Sequence, residues 1–310
     1  MNTTRWRDQP LSVRYCARDF TLLELDEIRG IIAAPERPCR AAIARAVCER
    51  FQWRKPDGGL KTMSCAVALL RMHAAGLIKL PEPLHAAPPL PRVPTFTAAT
   101  DPGPVISGTR GDLGPLELRQ VDGLTQSRLW NELIARYHYS GYRRLPGAQL
   151  RYLIYADGRL LGALGFGAAA WRTYDRDAFV GWSDEQRVAR LHLVVNLARF
   201  LLCPWVNVKF LASSVLGQAA RTLPQAWVRR YHYKPLLLET FVECDRFAAT
   251  SLRAANWVYV GETMGRGKMD RQHNRAVTSF KSVWVYPLDR RFRDGLCGVD
   301  RPTAAQRGRL

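Results

Sequence analysis

Residues 150–166 read LRYLIYADGRLLGALGF and decide the fold of the larger part of the chain. Two mostly apolar runs, at residues 150–155 and 159–166, flank the tripeptide Ala156-Asp157-Gly158. An Asp-Gly pair between such runs is typical of a tight hairpin turn, because both residues tolerate a positive φ angle. The sequence therefore predicts two neighbouring antiparallel strands.

Further strands and helices are predicted on both sides of this hairpin. Before it, residues 116–121 predict a strand and residues 129–139 a helix. After it come an apolar segment at 191–202, interpreted as a helix leading into a strand, an amphipathic helix from Leu211, a buried strand at 236–242, a short helix at 251–256, a strand at 257–261 and a strand-like segment from Ser279. This order predicts an α/β (α+β) domain over residues 113–288 and a basic tail over residues 289–310.

The predicted order resembles the acetyltransferase-like fold of the GNAT superfamily, a mixed sheet with flanking helices. A shared fold says little about function. The resemblance implies a glycine-containing loop before one helix, whose backbone N–H groups bind the pyrophosphate of acyl-CoA. Residues 206–213 occupy that place without a glycine, and Gly217 lies too far into the helix. We therefore expect no acetyl-CoA binding and rank a GNAT-type acyltransferase third among the candidate functions.

Residues 1–80 predict a small helical head of the winged-helix or helix-turn-helix type. Thr21 and Glu24 have the spacing of a capping box that begins the first helix. The residues predicted to face the core are Ile43, Val47 and Phe51 in a second helix and Met63, Val67 and Leu70 in a third, before a short strand at residues 77–80. Residues 81–112 contain eight prolines and predict an extended linker that separates the head from the α/β domain.

Positive charge is the strongest global signal. The chain carries a formal net charge of +19 at pH 7, which favours polyanionic partners such as nucleic acid, although the arginine codons of a GC-rich genome would also produce it. The candidate DNA contacts of the head are cations for phosphates and Ser64 for base edges; the cations are Arg40, Arg45, Arg50, Arg54, Lys55, Lys61 and Arg71. The alternative is a solvated basic face on a protein–protein module.

The cysteines and the hydropathy pattern favour a cytoplasmic protein without a membrane partner. The seven cysteines form no Cys-x-x-Cys pair and are odd in number, so a zinc site or a disulfide framework is not predicted. No apolar run reaches the roughly 18 residues that a membrane-spanning helix needs, and no apolar signal core follows the first residues.

A series of short sequence words resembles the DruA family of the Druantia anti-phage systems and related transposase-associated proteins. In chain order the words are YHYSGY at 137–142, RD at 176–177 with GWS at 181–183, RFLL at 199–202, LAS at 211–213, ETFV at 239–242, ANW at 255–257 and GETMGRGK at 261–268. The head matches in WRKPDG at 53–58 and GLIKLP at 76–81, whereas ATSL at 249–252 departs from an expected Gly-Thr-x-Tyr word. The resemblance implies an anti-phage or mobile-element context and DNA processing.

Two carboxylates are candidate catalytic residues and metal ligands. Glu239 interrupts an apolar strand, and a carboxylate there must be paired or functional. Together with Asp177 it would hold Mg²⁺ or Mn²⁺ for phosphodiester cleavage. The alternative is a buried ion pair between Glu239 and an arginine such as Arg199. Asn256, in the ANW word, is a further candidate catalytic residue.

Tyrosines offer a second route to the same chemistry. The tripeptide Tyr-His-Tyr occurs at 137–139 and again at 231–233, so Tyr137 and Tyr231 are candidate nucleophiles toward a DNA phosphate. The favoured alternative is that both are aromatic plugs at helix ends or stacking platforms for bases.

The Gly-rich word at 265–268 adds candidate phosphate contacts. Arg266 and Lys268 stand on a flexible backbone, and Arg199 is counted with them as a nucleic-acid-binding candidate. The spacing does not match a P-loop, so an NTP site is not predicted, and a solvated loop is the alternative.

The leading hypothesis is therefore a DNA-nicking or transposase-like enzyme. The second is a non-catalytic DNA-binding component that recruits a helicase or a transposase. Duplex DNA is the expected partner, with single-stranded DNA, other defence or transposition proteins and further copies of the chain left open.

Overall fold

In a computed structural model the chain divides into two compact units, Met1–Pro91 and Arg92–Leu310. The structure describes residues 12–34, 39–84, 94–170, 172–263 and 280–298. Each unit has a hydrophobic core of its own. Within the described ranges, every helix is too short or too polar to span a lipid bilayer.

The smaller unit is a β-hairpin followed by three helices. Its elements are β1 (Ser12–Tyr15), β2 (Arg18–Thr21), α1 (Leu22–Ala33), α2 (Arg40–Arg50) and α3 (Thr62–Ala74). The predicted capping box begins α1: Thr21 Oγ1 accepts from the backbone N–H of Glu24, whose carboxylate accepts from the backbone N–H of Thr21. The hairpin was not predicted, because its turn residues Cys16 and Ala17 adopt positive φ angles without the usual Asn or Gly.

Helix α3 faces the core with residues other than those predicted. Cys65, Ala68, Leu69 and Met72 are buried, whereas the predicted inward residues Met63, Val67 and Leu70 are exposed. Both sets have helical spacing, but the small side chains of Cys65 and Ala68 allow α3 to pack closely on α2, where Cys65 lies against Cys48. The strand predicted at 77–80 is also absent: these residues are irregular, although Ile78 and Leu80 are buried in the same core.

This orientation of α3 predicts unequal effects of two truncations. Leu69→Ala should lower the free energy of unfolding by about 2–5 kcal/mol, because it leaves a cavity in the head core. Met63→Ala should change it by less than about 0.5 kcal/mol, because the Met63 side chain is 80% exposed. Urea unfolding followed by tryptophan fluorescence measures both, and equal effects would contradict the orientation.

The larger unit is built around a mixed sheet. In chain order its elements are β3 (Ile106–Thr109), β4 (Glu117–Gln120), α4 (Leu124–Tyr137), β5 (Leu150–Ala156), β6 (Arg159–Ala168), α5 (Tyr174–Val180), α6 (Asp184–Arg190), β7 (Val194–Leu202), β8 (Val206–Lys209), α7 (Leu211–Tyr231), β9 (Leu237–Glu243), α8 (Thr250–Ala254), β10 (Val258–Glu262), β11 (Lys281–Pro287) and α9 (Phe292–Cys297). The predicted hairpin at 150–166 is confirmed, and Asp157 and Gly158 both adopt positive φ angles.

Seven strands form the main sheet in the order β10-β11-β9-β7-β6-β5-β4. All neighbours are antiparallel except β7 and β9, whose parallel ladder joins residues 194–196 to residues 237–239. The predicted α/β fold with a GNAT-like mixed sheet is thus confirmed. After Asn196 the two strands diverge, and at the start of the gap the Thr240 hydroxyl donates a hydrogen bond to the carbonyl oxygen of Leu197 at 2.9 Å.

A β-bulge lies beside this gap. Gly165 of β6 pairs with Arg199 and Phe166 pairs with Leu197, so Ala198 has no partner in β6. A bulge bends the strand and redirects the side chains that follow. Gly165 is required for packing here, because an added Cβ would lie 2.7 Å from the ring of Trp130 in α4.

The predicted linker and tail are both too long. Residues 106–109 belong to the larger unit as β3, which pairs in parallel with β8, and Thr97 and Thr100 donate hydrogen bonds to the buried carboxylate of Glu132 in α4. Prolines are compatible with such extended segments, so proline content alone did not mark the true boundary. In the predicted tail, α9 buries Phe292 and Leu296.

Candidate functional site

The two candidate carboxylates meet, but they do so on an arginine. Glu239 is completely buried; its Oε2 accepts from Nη1 of Arg176 at 2.7 Å and its Oε1 from the backbone N–H of Ala170 at 2.6 Å. Oδ1 of Asp177 accepts from Nε of Arg176 at 2.8 Å and from Nε1 of Trp182 at 3.0 Å. We call these five residues the Arg176 cluster. It joins the neighbouring RD and GWS words to the ETFV word, which is distant from them in sequence.

This geometry matches the ion-pair alternative rather than a carboxylate pair that faces an open site. The partner of Glu239 is Arg176 rather than Arg199, the example considered above, because Arg176 of α5 places a completely buried guanidinium beside Glu239. No group of three or more His, Cys, Asp or Glu side chains suited to a metal ion occurs among the residues described.

The Arg176 cluster predicts a large cost for a small chemical change. Glu239→Gln should lower the free energy of unfolding by about 3–5 kcal/mol, because it leaves the buried charge of Arg176 without its main counterion. The control is Glu243→Gln on the same strand, whose ion pairs with Arg246 and Lys281 are longer and partly exposed, so we expect a loss below about 1 kcal/mol. Urea unfolding measures both. A Glu239→Gln protein as stable as the wild type would show that the ion pair is not structural.

The two candidate nucleophilic tyrosines use their hydroxyls in tertiary hydrogen bonds. The Tyr137 hydroxyl donates to the carbonyl oxygen of Thr100 at 2.6 Å, and burial raises its pKa. The Tyr231 hydroxyl donates to the carbonyl oxygen of Gln149 at 2.8 Å and accepts from the backbone N–H of the same residue at 2.7 Å. Both residues therefore fit the aromatic-plug alternative.

Asn256 follows the end of α8 as an exposed turn residue. Its φ angle is 60°, a left-handed conformation that asparagine adopts more readily than most residues. The backbone requirement is sufficient to account for asparagine at this position.

An exposed aromatic surface lies where α4 ends, and its aromatic residues were not among the predicted site residues. Tyr139 is 39% exposed, stacks on His138 at 4.7 Å between ring centroids, and contacts Phe247, which is 45% exposed, at 5.3 Å. The guanidinium of Arg246 lies 5.4 Å from the centroid of the Tyr139 ring. We call Tyr139, Phe247, Arg246 and the neighbouring Arg199 the Tyr139 surface. Two sequence signals pointed near this surface: the Tyr-His-Tyr word, from which Tyr137 was selected, and Arg199 as a nucleic-acid-binding candidate.

Arg199 stands directly after the bulge and beside Tyr139. Its Nη1 donates to the carbonyl oxygen of Ala198 at 2.6 Å, while its buried Nε has no hydrogen-bond partner. Burial lowers the pKa of Arg199, and the nearby charge of Arg143 lowers it further. Arg199 therefore holds a partly desolvated positive charge with unused hydrogen-bonding capacity.

His138, beneath Tyr139, is predicted to make stability depend on pH. Burial, and then the charge of Arg199, lowers the pKa of His138 to about 4. The unfolded chain binds this proton near pH 6.5, so the free energy of unfolding should fall as pH drops from about 6.5 to 4, by at most about 1.4 kcal/mol per pH unit. His138→Asn should remove this part of the pH dependence. Urea unfolding at several pH values in this window tests it, and identical slopes in both proteins would contradict the assignment.

Intramolecular contacts involve four of the candidate cations of the head. Arg50 is 2.6 Å from Glu27, Lys55 is 3.5 Å from Asp57, and Arg40 and Arg54 donate to the carbonyl oxygens of Pro81 and Gly58. Arg45 and Arg71 are exposed and form no ion pair with a described residue, Lys61 precedes α3 as its N-cap, and Ser64 is half-buried in α3. Arg266 and Lys268 lie outside the described residues.

The segment compared with an acyl-CoA loop has a different structure. Residues 206–209 form β8, and Phe210, with a φ angle of 64°, leads directly into α7. The place of the expected glycine loop is therefore taken by a paired strand and one left-handed residue.

Comparison with known proteins gives a family and a set of distant folds. The family model for Druantia protein DruA matches residues 95–296. No curated protein matches the chain. Solved structures with a similar fold include the acetyl transferase from Salmonella typhimurium that modifies the N-terminal serine of ribosomal protein L7/L12 (15% identity, 57% of this chain and 100% of that one, TM-score 0.34). Another is spermidine/spermine N-acetyltransferase SpeG from Vibrio cholerae (11% identity, 56% of this chain and 92% of that one, TM-score 0.35). A third is aminoglycoside acetyltransferase AAC(6')-Ib in complex with coenzyme A (13% identity, 58% of this chain and 98% of that one, TM-score 0.36). Such low TM-scores describe distant likeness and carry no information on activity.

Proposed function

The chain belongs to the DruA family, and on this premise we propose that it is a DNA-binding component of an anti-phage system. The observation that carries the proposal is the net charge of +19 together with the exposed, unpaired cations of the head. A polyanion with regularly spaced phosphates is the partner that such a surface attracts most strongly.

Helices α2 and α3 are the part of the head that would contact duplex DNA. They pack on one another through Cys48 and Cys65, and each carries an exposed arginine without an acidic partner, Arg45 and Arg71 respectively. Two adjacent helices with free cations can contact the phosphates on either side of a groove. Arg50 and Lys55, which are already paired, would contribute less.

The Arg176 cluster favours a binding role over strand cleavage by Asp177 and Glu239. For these carboxylates to hold Mg²⁺ or Mn²⁺, both would have to leave Arg176, and a completely buried guanidinium would lose its counterions. A non-catalytic component that brings a helicase or a transposase to DNA is therefore the function that the geometry supports best. The strand at 206–209 likewise supports the expectation that acetyl-CoA is not bound.

DNA binding should be sensitive to salt and to the two free arginines. Affinity for a duplex should fall by orders of magnitude between about 50 and 200 mM salt, because phosphate contacts release counterions. Arg45→Ala combined with Arg71→Ala should weaken binding and reduce the salt slope by about two. Arg50→Ala, which removes an exposed charge that Glu27 already pairs, should have a smaller effect. Fluorescence anisotropy measures all of these, and a flat salt response would refute the proposal.

A cleavage assay tests the proposal that the protein does not itself cut DNA. Labelled single- and double-stranded DNA should remain intact with the wild-type protein in Mg²⁺ or Mn²⁺. Metal-dependent cleavage that disappears in a correctly folded Glu239→Gln protein would instead establish the nuclease alternative.

A further inference from the structure

We propose that the Tyr139 surface binds single-stranded nucleic acid, with a base stacked on Tyr139 and Phe247 and the backbone held by the surrounding arginines. This site is in the larger unit and does not depend on the duplex contacts proposed for the head. It goes beyond the family assignment, which names no such site.

The sheet itself creates the opening for this site. Beyond Asn196 and Glu239 the parallel ladder of β7 and β9 ends, and the two strands diverge toward their carboxyl ends. Tyr139 approaches this opening from the end of α4, while Arg246 and Phe247 follow directly after β9. Clefts between diverging parallel strands are places where α/β proteins commonly bind ligands.

The residues at the opening provide the two interactions that single-stranded binding needs. Tyr139 and Phe247 expose aromatic side chains that touch one another, and Arg246 lies against the Tyr139 ring. The charges of Glu243, Arg199 and Arg246 all act on the Tyr139 hydroxyl, and Glu243 pairs with Arg246 at 3.6 Å, which leaves Arg199 as the cation of this surface without an acidic partner among the described residues. Exposed aromatic rings surrounded by cations are typical of surfaces on which bases stack while the phosphates contact arginine.

Two buried polar atoms near the opening lack hydrogen-bond partners among the described residues, which points to a ligand. They are Nε of Arg199 and Oδ1 of Asn196, a residue only 9% exposed. In the antiparallel ladder Arg199 pairs with Gly165 and Asn196 pairs with Gly167. Gly165 and Gly167 are two residues apart in β6, so the side chains of Arg199 and Asn196 lie on the same face of the sheet. Helix α4 packs on the same face at Gly165, which places Tyr139 on that side as well.

The chemistry favours a single strand over a duplex. Base faces are accessible for stacking only when the bases are unpaired, whereas a duplex presents phosphates and base edges. A donor and an acceptor without partners also suit a base edge that is not already paired. A duplex would gain only the charge interaction at this surface.

The test is binding of a fluorescein-labelled oligothymidine of about 12 nucleotides to the full chain, beside a duplex of equal length. The wild-type protein should bind the oligothymidine. Tyr139→Ala should weaken that binding on the order of 10-fold or more and duplex binding by less than about twofold, while Tyr139→Phe, which keeps the ring, should resemble the wild type. The thermal melting midpoint checks that each variant is folded. If Tyr139→Ala does not fold, Phe247→Ala is the variant to use.

A matched arginine control separates a specific contribution of the Tyr139 surface from the general effect of removing one positive charge. Arg246→Ala should weaken oligothymidine binding, whereas Arg119→Ala should not, although Arg119 likewise lies over a tyrosine ring, that of Tyr155, at the β4 edge of the sheet. The combined Arg45 and Arg71 variant should lose duplex affinity and keep oligothymidine affinity, so the two proposals fail independently. The inference is overturned if the wild type does not bind the oligothymidine. It is also overturned if folded Tyr139→Ala binds it normally, or if both arginine variants lose affinity equally.

Discussion

One buried guanidinium organises the centre of the larger unit. Arg176 has no contact with solvent, and it remains stable there only because Glu239 and Asp177 supply negative charge and the Ala170 carbonyl oxygen accepts a further hydrogen bond. These contacts attach the segment between β6 and β7 to β9, at the last rung of the parallel ladder. An unpaired buried charge is costly, so Arg176 must keep its contact with Glu239. This arginine therefore fixes the rung at which the parallel ladder of β7 and β9 ends and the two strands begin to diverge.

The opening gives the fold its most unusual surface. Arg199 follows the bulge at Ala198 and lies beyond the last rung of the parallel ladder between β7 and β9. Tyr139 contacts Phe247 and Arg246, which are far from it in sequence. The chemistry of this surface is a product of tertiary structure.

The strands of the main sheet could be predicted, because their signals are local, whereas β3 and β8 were not predicted. Apolar runs bounded by turn residues identified the hairpin at 150–166, and the isolated carboxylate at Glu239 indicated a group that is either paired or functional, which the structure pairs with Arg176. Its partner could not be identified, since Arg176 is one of many arginines and only packing selects it. The predicted orientation of α3 was wrong for a related reason. The helix has two apolar faces, and packing against α2 determines which of them is buried. Phe247 and Tyr139 meet only in the folded chain, so no sequence word joins them.

The pairing of β3 with β8 has a consequence for how the chain folds during synthesis. Ile106 lies near the start of the larger unit, yet its strand partner Val206 is made much later. Until β8 has left the ribosome, β3 has only unpaired backbone groups, and the strand that it needs is parallel and distant, which makes the contact slow to form. We therefore expect nascent chains that end before residue 206 to expose β3 and to be recognised by chaperones or proteases more readily than chains that extend past it.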